Sequence, residues 1–366
     1  MTTSVKPSRL EQATALMRTE DIQCLFVTPS ADLIYLMGYH GHPSERPLVL
    51  AVSQDGEPTL LVSRLESFGV PTTEGVQILP YEETEDGIAI LADALSQSGA
   101  AKCAISDVAW ASTLLRLQSV LGDCTFAPAS TILRELRMRK SPGEIELIRE
   151  AGLRADRAFE QLLRLRFSGR KEREIGSELV EILRSNGLAS ASWGPIVASG
   201  PNAASPHHHT GERVIQEGDA VVLDFGGTFE DYQADITRTV HVGNPGTEFA
   251  RIYELVKEAQ QAGVAAVRPG VTAESVDRVT RGVIERAGYG QYFVHRTGHG
   301  LGLEAHEEPY IVGGNSVPLE ASMVFSVEPG AYLPGDFGVR IEDIVTVTSQ
   351  AAERMNHATR DLQIVE

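Results

Sequence analysis

Residues 221–239 read VVLDFGGTFEDYQADITRT. The stretch begins as a buried strand does, with Val221, Val222 and Leu223. It then places a carboxylate, Asp224, where the core should continue, and Asp235 does the same in a second β-rich run, ADITRTV. Alone, either aspartate would more often be a strand-end cap or an ion-pair partner. Two on neighbouring strands ask for more, because buried anions persist only when paired or bound to a cation.

The surrounding sequence repeats itself. A helix over about 142–166 leads to a break at Gly169, then to a helix EIGSELVEILRSNG ending at Gly187, then to the strands carrying Asp224 and Asp235. The order returns with a helix over about 248–267, Gly270, and a helix ESVDRVTRGVIERAG ending at Gly288. An offset of 101 maps Gly169 to Gly270, Ile175 to Val276, Ile182 to Val283, Leu183 to Ile284 and Gly187 to Gly288. These matches in one frame predict an internal duplication whose halves face each other, strands within and helices outside. VVLDFG then corresponds to FSVEPG, and ADIT to RIED, so each half delivers two carboxylates: Asp224 and Asp235, Glu328 and Glu342. Four carboxylates brought together repel one another, and a pair of divalent cations supplies the missing positive charge. The glycine-rich stretch VHRTGHGLGLEAHE adds His295, His299 and His306. Carboxylates with one neutral imidazole make a hard site that suits Mn²⁺ and tolerates Co²⁺ or Zn²⁺.

The rest of the chain sets bounds. At 366 residues it is longer than one core usually serves. The first ~140 residues alternate strands and helices, which predicts an α/β domain. Its strands are CLFVT (24–28), PLVLAVS (47–53), TLLVS (59–63) and KCAISD (102–107), and its helix is GIAILADALSQSG (87–99). A boundary follows at 140/141. Ser141 can cap a helix, Pro142 fits its first position and Glu144 sits three after the cap. The net charge of −18 argues against nucleic-acid partners and reads mainly as solubility. The three cysteines, Cys24, Cys103 and Cys124, form no CxxC pair and read as free thiols in a reducing compartment. The N-terminus lacks a signal-type apolar run, and no segment is apolar over a membrane span, so the expected location is the cytoplasm.

With its motifs in this order, Asp-x10-Asp, HxxxHGxG, VEPG and RIED, the chain resembles the pita-bread metallopeptidases, and among them the Xaa-Pro peptidases, prolidase and aminopeptidase P. The resemblance covers nearly the whole chain. It implies a creatinase-like α/β N-terminal domain (1–140) and an α+β pita-bread catalytic domain (141–366) with an internal pseudo-twofold repeat. It implies two divalent metal ions held by Asp224, Asp235, His299, Glu328 and Glu342, with Asp235 and Glu342 bridging. It makes Glu328 the proton acceptor and later donor, and gives His306 the tetrahedral oxyanion. His207 and His295 hold the prolyl side of the substrate, and Thr237 and Arg340 orient the ligands. His208 and His209 have no counterpart in that pattern. The implied partners are short proline-containing peptides and a second copy of the chain.

Competing readings are a metal-free binding protein on the same fold and creatinase-like C–N hydrolysis. Loss of ligands would mark either, and every ligand is retained. Methionine aminopeptidase shares the catalytic domain but usually lacks the N-terminal one. The length preference is less legible. Some prolidases carry an arginine shortly after the last histidine to read the dipeptide carboxylate, and this chain has Tyr310 there. His40, His42 and Arg46, in SADLIYLMGYHGHPSERP, are the replacements offered by the N-terminal domain, with Arg46 expected to act from a partner subunit. The favoured activity is that of an Xaa-Pro dipeptidase, with aminopeptidase P as the alternative.

Overall fold

The computed structural model describes residues 8–95, 101–190 and 194–366. The chain divides into two compact units, Met1–Arg137 and Met138–Glu366. Among the described residues, no helix is long and apolar enough to cross a membrane.

The first unit is built on six strands: β1 (Cys24–Val27), β2 (Val49–Ser53), β3 (Thr59–Ser63), β4 (Gln77–Tyr81), β5 (Lys102–Ile105) and β6 (Thr125–Pro128). They lie in the order β4-β3-β2-β1-β5-β6. The sheet is mixed. β1 runs parallel to β5, and β3 to β4, whereas β2 is antiparallel to both β1 and β3. The helices are α1 (Arg9–Thr19), α2 (Ala31–Met37), α3 (Arg64–Ser67), α4 (Gly87–Leu95), α5 (Ala111–Leu121) and α6 (Ser130–Met138). β1, β2 and β3 are buried throughout, as unbroken apolar runs require. The predicted helix 87–99 is found as α4, and its last four residues fall outside the described residues. Cys24, Cys103 and Cys124 are all buried free thiols. They belong to the core between this sheet and its helices, beside Phe26, Val49 and Leu117.

The second unit opens with α7 (Pro142–Leu162). Ser141 Oγ accepts from Glu144 N, and the Glu144 carboxylate accepts from Ser141 N, so both ends of the capping box are made. The helix stops four residues before the predicted end. Leu162 and Phe167 are both fully buried, and the turn between them carries Phe167 into the core that helical continuation would miss. α8 (Glu172–Ser185), α9 (Thr247–Ala266) and α10 (Ala273–Arg286) follow the predicted order.

The duplication is visible in detail. α8 and α10 are each 14 residues long and start at Glu172 and Ala273. Gly169 and Gly270 have φ of 82° and 85°, and Gly187 and Gly288 have φ of 77° and 85°. Those are left-handed values that only glycine adopts freely. Isolated bridges Lys171–Val214 and Thr272–Pro318 precede the two helices at matching positions.

The strands explain the opening aspartates. β9 (Ala220–Phe229) and β10 (Tyr232–Val242) form an antiparallel hairpin through Glu230 and Asp231, both at positive φ. Asp224 pairs with Thr237, and Asp235 with Gly226. Directly opposed residues share a face, and so do residues two apart. Both carboxylates therefore emerge on one side, and Gly226 leaves room over Asp235. In the other half, β13 (Val324–Val327) pairs antiparallel with β16 (Asp343–Val347), Val327 opposite Asp343. Glu328 directly follows β13 and Glu342 directly precedes β16. A hairpin of β14 (Gly330–Leu333) and β15 (Phe337–Arg340) lies between them.

Candidate active site

Asp235, His299 and Glu342 are buried, and one ligand atom from each lies within 4.8 Å of the others. His299 comes from the short strand Gly298–Gly300. Its Nδ1 is 3.1 Å from the carbonyl oxygen of Gly300 and must donate to it. Nε2 is then a lone pair, yet it faces Glu328 Oε1 at 3.3 Å and Asp235 Oδ2 at 3.9 Å. Asp235 Oδ1 is buried without any hydrogen-bond partner. Lone pairs converging on lone pairs, with an orphaned carboxylate oxygen beside them, are what a cation would satisfy. The donor set fits hard divalent ions.

The electrostatics agree. Burial, and then repulsion from Asp224 and Glu328, holds Asp235 well above the usual carboxylate range. Burial and the charge of Asp235 do the same to Glu342. Burial pushes Glu328 up to about 7, against the opposing pull of Arg340. His295 and His299 are driven down to about 3, by burial first and then by Arg340 and His306 respectively. His306 is lowered, by burial first and then by Arg296.

A stability prediction follows. Near the ordinary histidine value of 6.5 the unfolded chain still holds part of a proton on each of these three imidazoles, which opposes the carboxylates, and about one pH unit higher that contribution is gone. The raised carboxylates keep protons in the folded chain that the unfolded chain has already released. Folded stability therefore falls as pH rises through their elevated values. Above about pH 7.5, where the histidine contribution has gone, the melting temperature of chelator-treated protein should fall as pH rises, and saturating Mn²⁺ should flatten that slope. A metal-free melting temperature that rises over this range would contradict the carboxylate arrangement.

Arg340 organises the rest. Its guanidinium donates to Asp224 Oδ2 at 2.6 Å, Thr237 Oγ1 at 3.2 Å, Tyr332 Oη at 2.7 Å and the carbonyl of Pro206 at 3.3 Å. Thr237 Oγ1 in turn donates to Glu342 Oε2 at 2.7 Å. His295 Nδ1 is 2.7 Å from the carbonyl of Arg296, so Nε2 accepts from Tyr332 Oη, also at 2.7 Å. The rings of His299 and His306 meet edge to face at 4.0 Å. A cavity of about 740 Å³ collects His207, His295, His306 and Arg296 around the carboxylates.

Several residues serve the site from outside the motif positions. Ser326 donates to Glu328 Oε1 at 3.0 Å and accepts from His299 N at 3.0 Å. Tyr332 joins His295 to Arg340. Arg296 lies between two singled-out residues, and its guanidinium sits 4.4 Å from the Tyr310 ring centroid. Asp277 and Arg281 of α10 hold its loop: Thr297 Oγ1 donates to Asp277, and Arg281 donates to the carbonyls of Phe293 and His295. The polar residue inside a known motif was the available signal for Arg296; Tyr332 and Ser326 had none. His40 and Arg46 lie on a loop of the first unit. The Arg46 guanidinium is taken up by Glu83 at 2.7 Å and Glu45 at 2.6 Å.

This fold and centre define a metal-dependent hydrolase. Residues 146–349 match the metallopeptidase family M24, and residues 9–139 match the creatinase/prolidase N-terminal domain. The chain is 38% identical over 362 residues to the probable dipeptidase PepE of Mycobacterium tuberculosis, covering 98% of this chain and 96% of that one. It is 35% identical over 352 residues to the Xaa-Pro dipeptidase of Lactobacillus helveticus, covering 93% and 94%. The crystal structure of a recombinant prolidase from Thermococcus sibiricus superposes with a TM-score of 0.93 at 36% identity, covering 98% of both chains. The chain belongs to metallopeptidase family M24: a creatinase-type N-terminal domain followed by a pita-bread catalytic domain.

Proposed function

We propose that the chain is an Xaa-Pro dipeptidase that acts on short proline-containing peptides. Asp224, Asp235, His299, Glu328 and Glu342 would hold two divalent ions, for which Mn²⁺ suits the hard ligand set best. When bound, such ions supply Lewis-acid polarisation and activated water at neutral pH. The remaining work belongs to side chains. Glu328 accepts a proton from the attacking water and returns it to the prolyl nitrogen, which has no hydrogen of its own and cannot leave unprotonated. His306 donates to the developing oxyanion. His207 and His295 bind the prolyl side. Thr237 and Arg340 fix the carboxylates. A homodimer in the cytoplasm is the setting read for it, in keeping with the buried free thiols.

The observation that carries the dipeptide preference is Arg296. Arg296 lines the cavity, its guanidinium over the ring of Tyr310, the residue that replaces the arginine of some prolidases. Arg340, the other arginine of the cavity, is spent on Asp224 and Tyr332. Arg46 is committed to Glu83 and Glu45, so we assign the substrate carboxylate to Arg296 in its place. A guanidinium held over an aromatic ring keeps its donors for a bidentate carboxylate contact.

Arg296→Ala should raise KM for Xaa-Pro dipeptides by roughly 10- to 150-fold, the equivalent of ~1.5–3 kcal/mol for a charged hydrogen bond. Xaa-Pro-Yaa tripeptides, whose carboxylate lies one residue further on, should be affected far less. Arg46→Ala is the comparison variant. Equal losses on both substrates would move the reading to aminopeptidase P. A selective loss in Arg46→Ala alone would return the carboxylate to the first unit.

A further inference from the structure

Glu172 is the first residue of α8 and is fully buried. Its carboxylate is unusually well supplied with donors. Oε1 accepts from Ser199 N at 2.8 Å, Ser199 Oγ at 2.7 Å and Asn202 Nδ2 at 3.0 Å. Oε2 accepts from Gly211 N at 3.2 Å and from the ring Nε2 of His208 at 2.8 Å. Burial alone would raise this group, but the hydrogen bonds from Asn202, Ser199 and His208 hold it below the usual carboxylate value. Every donor lies within residues 199–211, the segment that carries His207 to the cavity.

The internal repeat shows that the helix itself does not require this carboxylate. The matching position in the other half is Ala273, the first residue of α10 and fully buried as well. It follows the same kind of bridge, Thr272–Pro318 against Lys171–Val214. One half closes the turn with a methyl group. The other places there an anion with five hydrogen bonds, two from the histidine-bearing loop and three from the Ser199–Asn202 stretch that leads into it.

That loop is held on both sides of His207. On one side the carbonyl of Pro206 accepts from Arg340, which also binds Asp224. On the other side the His208 ring is tied to Glu172. Beyond it, Thr210 Oγ1 donates to the carbonyl of Pro195 and accepts from Val197 N. Residues 206–211 form no helix or strand, so side chains supply the order that backbone ladders give elsewhere.

We propose that Glu172 and His208 form a latch that positions His207 against the prolyl side of the substrate. His208 borders the cavity as well, but its ring Nε2 is taken up by Glu172, and its role here is that of a positioning residue that acts through its neighbour. The inference rests on the Xaa-Pro reading above for the role of His207, and on geometry alone for the latch.

His208 is the partner to alter, since it is partly exposed whereas Glu172 has five hydrogen bonds to lose. His208→Ala should lower kcat/KM on an Xaa-Pro dipeptide by ~10- to 100-fold, the scale of a small misplacement of a binding group. His208→Gln, whose amide N–H can still donate to Glu172, should recover most of that loss. In a double-mutant cycle with His207→Ala, the His208→Ala change should cost nearly nothing once His207 is gone. Amide hydrogen exchange over residues 206–211 reads the latch without turnover. It should quicken in His208→Ala and stay near wild type in His208→Gln. Losses that multiply in the cycle, a wild-type-like His208→Ala, or unchanged exchange would overturn the latch. A wild-type protein that cleaves no Xaa-Pro peptide would end the peptidase reading instead, and the exchange experiment would still decide whether the latch exists.

Discussion

Asp235→Asn should abolish turnover while making the metal-free protein more stable. The two effects have one cause. Asp235 is buried, its Oδ1 has no partner, and repulsion from Asp224 and Glu328 adds to burial in holding its carboxyl well above the usual range. In the metal-free chain, folding must either keep a proton on this group or bury its charge beside its neighbours, and asparagine escapes both costs, so the melting temperature above neutral pH should rise. In the loaded enzyme the same charge would help to hold the ions. Asparagine keeps the shape but offers one neutral acceptor oxygen in place of two anionic ones. We expect kcat to fall by at least ~10³-fold, a loss of several kcal/mol of charge stabilisation. Metal content should drop with it. Kinetics, elemental analysis and melting of the stripped protein check the three parts. Wild-type kcat in a variant that retains both ions would remove Asp235 from the centre. Such opposed effects on activity and stability are expected wherever a site concentrates like charge.

Glu328→Gln should cost kcat at least the ~10²-fold typical of general acid–base catalysis, with metal content less affected. Burial pushes this carboxyl up to about 7 in the metal-free chain, and Ser326 donates to one of its oxygens. Glutamine preserves the size and keeps an oxygen for a cation. It can neither accept a proton from water nor hand one to the leaving prolyl nitrogen. A near-normal kcat with both ions bound would assign the proton transfer to another group.

Much of this molecule was legible in the sequence, for identifiable reasons. The eleven-residue interval between Asp224 and Asp235 spans a two-residue hairpin turn, and period-two geometry then puts both on one face. The duplication was legible because glycines at left-handed positions cannot drift: Gly169, Gly187, Gly270 and Gly288 all have φ near 80°. The end of α7 was not legible, because it depends on where Phe167 must go rather than on any stop residue. Tyr332 and Ser326 were missed because a side chain that serves the site through another side chain leaves no spacing rule behind. Arg296 was hidden by its neighbours: His295 and His299 carry the motif around it, and the position where some prolidases have an arginine holds Tyr310. The cation that lies over the Tyr310 ring comes from a different strand of sequence and could be found only in three dimensions.

The distribution of sulfur has a practical consequence. All three cysteines of the chain lie in the first unit, and all three are buried there. Thiol labelling is therefore a built-in clock for opening of that unit alone, since the catalytic unit has no sulfhydryl to react. Followed beside the loss of peptidase activity during denaturation, it separates the melting of one domain from that of the other without any introduced probe.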